Sequence, residues 1–97
     1  MPLFVSFASL WEIAVKQSIG KLSLSLPIPE FVERRVTGVG MALLEIKLSH
    51  IAKYSELPLH HRDPFDRLLV AQCLAEEIGI LSHDRQLDAY GVERVWD

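Results

Sequence analysis

The chain has 97 residues, 49% of them hydrophobic, a formal net charge of −3 and a single cysteine, Cys73. This length allows one domain at most, and the apolar content excludes a disordered chain. There is no broad basic excess of the kind that marks a purely electrostatic nucleic-acid binder, and an internal disulfide is impossible.

Cys73 lies in a helix-like apolar pattern and reads as a small core residue, which fits a reducing cytoplasm. No apolar run reaches the roughly 18 residues of a membrane span. The start has no basic stretch followed by an apolar one, so it does not read as a signal peptide. The four histidines show no Cys/His zinc spacing.

In chain order, residues 3–7 read as a short strand. Ser9 then offers an N-cap with Glu12 three positions on, which opens a helix over about 10–18 that Gly20 stops. Residues 22–26 alternate, but Pro27 and Pro29 favour a loop or edge piece. Pro29 opens a second helix to about Thr37, ended by Gly38 and Gly40. A strand is expected over 43–48, then a short helix capped by Ser49 and ending before Pro58. Residues 59–62 form a polar loop.

The clearest helix start is Asp63-Pro64, with Asp63 as N-cap, Pro64 at the first helical position and Asp66 at the third. That helix is expected to run to about Ile78 and stop at Gly79. A short buried strand over 80–82, a helical segment over 84–90 broken by Gly91, and a last strand over 92–96 complete the order. Strands and helices alternate, the pattern of an α/β layer structure.

Four carboxylates stand at informative places: Glu12, Asp63, Asp66 and Asp84. Each has a structural use. Glu12 can complete a capping box with Ser9 or pair with Lys16, and Asp63 and Asp66 suit a helix N-terminus. Asp84 can cap a helix, but it follows a strand, where ligands gather in open α/β sheets. Gathered together, such carboxylates suit a hard divalent cation, which would relieve their repulsion and activate water against a phosphodiester. Lys16, Arg62, Arg67 and Arg85 are the candidate phosphate contacts, each with a solvated-surface alternative. His60 and His61 read first as loop residues and second as substrate contacts, and His83 is equally open. Trp11 and Phe65 read as core or interface residues, and Trp96 as cover for a sheet edge.

Three ordered blocks carry a resemblance. They are Ser9-Leu10-Trp11-Glu12-Ile13-Ala14-Val15-Lys16 with its flanks, His61-Arg62-Asp63-Pro64-Phe65-Asp66-Arg67 with the helix that follows, and Leu81-Ser82-His83-Asp84-Arg85. Together the chain resembles the PIN-domain ribonucleases, and among them the VapC toxins of bacterial toxin–antitoxin pairs. The resemblance implies a three-layer parallel-sheet α/β domain and a metal-dependent endoribonuclease using Mg²⁺, with Mn²⁺ possible. It also implies an antitoxin partner, an RNA substrate and a homodimer. It maps Glu12, Asp66 and Asp84 to the metal, Asp63 to an additional acidic position, and Ser82 to the hydroxyl that supports the last acidic motif.

The family pattern opens with a strand ending in aspartate, and no aspartate precedes Glu12 here. The expectation is therefore an N-terminally incomplete PIN-like domain over 1–97, completed by dimerisation or strand exchange. Two other functions stay open from the residues alone: a noncatalytic module that binds an antitoxin or itself, and a small α/β module whose acidic residues only cap helices.

Overall fold

The computed structural model describes residues 3–82 and 84–95. Two compact units divide between Glu45 and Ile46.

The first unit contains β1 (Phe4–Ser6), α1 (Phe7–Ser18), α2 (Ile28–Arg35), a 3₁₀ turn over Thr37–Val39, and β2 (Ala42–Leu44). β1 and β2 pair in parallel, with Val5 opposite Leu43. The strand at 3–7 is shorter than expected, because Ser6, not Ser9, caps α1. Its side-chain oxygen accepts the Ala8 N–H at 3.0 Å. That places Glu12 in the helix interior, so the Ser9–Glu12 capping box does not form. The expected Glu12–Lys16 pair does form, at 3.0 Å.

The second proline-led helix appears as α2 and ends at Arg35, before the 3₁₀ turn. β2 covers three residues rather than 43–48. Ala8, Leu10 and Val36 are buried in this unit, whereas Trp11 is 61% exposed.

The second unit contains α3 (Leu48–Glu56), α4 (Pro64–Glu76) and a 3₁₀ helix over Arg85–Tyr90. Ser49 lies inside α3, and Lys47 stands at its N-cap. The Lys47 N–H donates to His50 Nδ1 at 3.0 Å, so the side chain three residues on closes this end. α4 starts as its sequence dictates, with Asp63 as N-cap and Pro64 in the first turn. It ends two residues early, because Glu77 takes the left-handed conformation at φ 56°.

Gly79 serves a different need. A Cβ there would lie 3.2 Å from both the Glu93 carbonyl oxygen and Val95 Cγ2, so glycine permits this close approach. The approach is the parallel bridge between Ile80 and Arg94, which stands where strands were expected over 80–82 and 92–96. The Ile80 N–H donates to the Glu93 carbonyl and the Val95 N–H to the Ile80 carbonyl, both at 2.8 Å.

Val70, Cys73, Ile80, Leu87 and Val92 form the core of this unit, with Leu57, Leu69, Leu74, Ile78 and Tyr90 packed against it. Cys73 is therefore a core residue, and burial pushes its thiol up to about 11.

A second, polar cluster ties α3 to α4. His50 and Gln72 are fully buried. Gln72 Nε2 lies 3.2 Å from His50 Nδ1, and His50 Nε2 lies 3.2 Å from Glu76 Oε2. Pairing these groups removes much of the cost of burying them.

Helices with parallel strand pairing place the chain in the α/β class expected from its element order. Among the described residues, no helix is long and apolar enough to cross a membrane. His83 and Trp96 lie outside the described residues.

Candidate metal centre

The second unit brings together side chains from two separate segments, one before and within the first turn of α4 and one after the Ile80 bridge. His61, Asp66 and Asp84 each offer one ligand atom, all within 4.8 Å of one another. Asp66 comes from the first turn of α4, set there by the Asp63-Pro64 start. Asp84 stands just beyond the Ile80 bridge as N-cap of the 3₁₀ helix. His61 comes from the loop before α4.

Each group is held by its neighbours. Asp63 Oδ1 accepts the N–H groups of Phe65 at 2.8 Å and Asp66 at 3.2 Å, which fixes the start of α4. The Asp63 N–H donates in turn to His61 Nδ1 at 3.1 Å. His61 Nδ1 is thus an acceptor, which leaves the ring proton on Nε2. Nε2 lies 2.7 Å from Asp84 Oδ2 and 3.7 Å from Asp66 Oδ2. Asp84 Oδ1 accepts the Gln86 N–H at 3.0 Å, and Ser82 Oγ accepts the Asp84 N–H at 3.0 Å.

The hydrogen bond from His61 holds the Asp84 carboxyl below its usual range. The Gln86 N–H and the charge of Arg94 act in the same direction, against partial burial. Arg94 is fixed nearby, with Nε 2.8 Å from Asp88 Oδ1 and Nη1 donating to the Ser82 carbonyl at 3.2 Å.

The other expected site residues have these positions. Glu12 and Lys16 pair with each other on α1, in the first unit. Arg62 and Arg85 are exposed. Arg67 turns onto Tyr54, with its guanidinium carbon 4.6 Å from the ring centroid. It also donates to the Tyr54 hydroxyl at 3.3 Å and the Leu57 carbonyl at 3.2 Å.

The donor chemistry fits a divalent cation. Two partly exposed carboxylates converge, and an imidazole N–H holds one of them in place from the side. His61 reads in the sequence first as a loop residue and second as a substrate contact, and the structure sets it instead beside Asp84 and Asp66. The available signal was its position two residues before the helix-capping Asp63, where a side chain can reach the capping residue's N–H.

No curated protein and no solved structure matches the chain. A family comparison matches the PIN domain over residues 2–93. PIN domains are nucleases that generally use divalent metal ions, and members commonly bind RNA, bind antitoxins or dimerise. With nearly its whole length matched, and an acidic cluster of the kind such chemistry needs, this chain belongs to the PIN-domain family.

Proposed function

We propose that the chain is a metal-dependent endoribonuclease of the VapC type, acting on RNA in the cytoplasm and restrained by a cognate antitoxin. The observation that carries this reading is the convergence of His61, Asp66 and Asp84 within 4.8 Å. Asp66 and Asp84 would hold Mg²⁺ or Mn²⁺, and the family motif assigns Glu12 a metal role as well. A divalent cation bound there supplies a polarised phosphoryl oxygen and a more acidic water.

The chain's own groups prepare that site. Asp63 fixes the first turn of α4 and thereby Asp66. Ser82 orders the backbone at Asp84, and the His61 Nε2–H orients the Asp84 carboxylate from the side. Arg62, Arg85 and Lys16 are the proposed phosphate contacts, which would bind RNA without reading its sequence. Arg67, packed on Tyr54, is assigned to holding the loop after α3.

A homodimer or antitoxin complex is part of this proposal. Phe4, Phe7 and Trp11 give the first unit exposed apolar surface of the kind such contacts use.

The test is cleavage of RNA by the purified full chain with and without Mn²⁺, alongside Asp66→Asn and Asp84→Asn. Cleavage that needs the metal and falls in both variants, with folding intact, supports the proposal. Stable antitoxin binding with neither metal binding nor cleavage would establish the noncatalytic alternative instead.

A further inference from the structure

The loop over 58–62 has no ladder to satisfy its backbone, so its N–H groups need other partners. Tyr90 supplies one. It ends the 3₁₀ helix and packs against the core of the second unit. Its phenolic oxygen accepts the N–H of His60 at 3.0 Å and of His61 at 2.9 Å. The two rings also meet edge-on, with the His60 and Tyr90 centroids 5.1 Å apart.

We infer that Tyr90 is the positioning residue of His61: its hydroxyl pins two consecutive peptide groups and so aims the imidazole at Asp84. A hydroxyl has two acceptor lone pairs, and two successive amides converge on this one. That convergence fixes the peptide orientation at the residue whose Nδ1 takes the Asp63 N–H and whose Nε2 reaches Asp84. The anchor is held because the Tyr90 ring packs against the core cluster. The His60 N–H has a second acceptor, the Pro58 carbonyl at 3.1 Å, so the His61 amide is the cleaner reporter. The consequence for metal binding rests on the function proposed above, whereas the hold on His61 does not.

The experiment uses the full chain and Tyr90→Phe, which keeps the ring and deletes the acceptor. Long-range ¹H–¹⁵N correlation reads the His61 imidazole, and Mn²⁺ binding is followed by electron paramagnetic resonance. The unaltered chain should show His61 with its proton on Nε2. The variant should show a mixture of tautomers and bind Mn²⁺ about tenfold more weakly, the low end for loss of an outer-shell partner. An unchanged His61 imidazole in a folded variant overturns the inference. If the unaltered chain binds no Mn²⁺ while the tautomer shift appears, Tyr90 keeps its role and the metal-centre reading fails.

Amide hydrogen exchange on the unaltered chain needs no variant to fold. The His61 amide should exchange at least about tenfold more slowly than the same amide in an unstructured peptide. Exchange at the unstructured rate overturns the inference.

Discussion

His61 reaches Asp84 across 2.7 Å, and this contact joins the loop before α4 to the segment after the Ile80 bridge. His61 Nδ1 is already taken by the Asp63 N–H, so the contact runs from an Nε2 donor to a carboxylate. One imidazole thereby links the cap of α4 to the cap of the 3₁₀ helix.

Removing either carboxylate of the cluster should separate metal binding from folding. Asp66→Asn and Asp84→Asn keep side-chain volume and delete charge. Each is expected to weaken Mn²⁺ binding and lower metal-dependent RNA cleavage by at least about tenfold. Calorimetric titration with Mn²⁺ and a cleavage assay on the same preparations check this, with circular dichroism confirming the fold.

The pH dependence of this contact has a definite sign. The His61 hydrogen bond and the Gln86 N–H lower the Asp84 pKa in the folded chain. A depressed carboxylate binds fewer protons folded than unfolded, so its contribution to stability is fully present above the usual carboxylate pKa. It is lost as pH falls through the lowered value. Glu76 behaves alike, lowered first by its hydrogen bond with His50 and then by Lys47. Thermal melting from pH 6 down to pH 3 should show falling stability, and Asp84→Asn should make the fall shallower.

The buried polar cluster between α3 and α4 should be costly to break from one side. His50→Leu removes the acceptor of the Lys47 N–H and the Nδ1 partner of Gln72 Nε2. A loss on the order of 2–3 kcal/mol is expected in urea unfolding. Replacing His50 and Gln72 together by apolar residues should cost less than the two single changes summed.

Asp63→Ala tests the cap of α4 apart from its chemistry. Two N–H groups lose their acceptor, and about 1 kcal/mol of stability should go with them. Asp63→Asn should recover most of that loss, because an amide oxygen also accepts. Urea midpoints of the two variants check the ordering.

Cys73 should be inert while the chain is folded. It is 8% exposed, and its thiol is pushed up to about 11 by burial. Thiolate is the reactive form, so alkylation by iodoacetamide at pH 8 should be slow in buffer and fast in urea. Comparable rates in both would place the thiol outside the core.

Local chemistry alone determined the start of α4. A cap, a proline and an acidic third position act within one turn, so no distant contact was needed to read them. The Glu12–Lys16 pair was legible for the same reason, being one helical turn apart. The cap of α1 was not. Ser6 and Ser9 are both competent, and the choice follows from where β1 ends against β2. The end of α4 was decided likewise, because Gly79 is needed where the Glu93 backbone passes and Glu77 makes the turn instead. His61 became visible only when the fold brought it to Asp84, since a hydrogen bond between segments far apart in sequence leaves no periodic mark. The residue types settled which groups could carry chemistry, and tertiary packing settled which of them share one place.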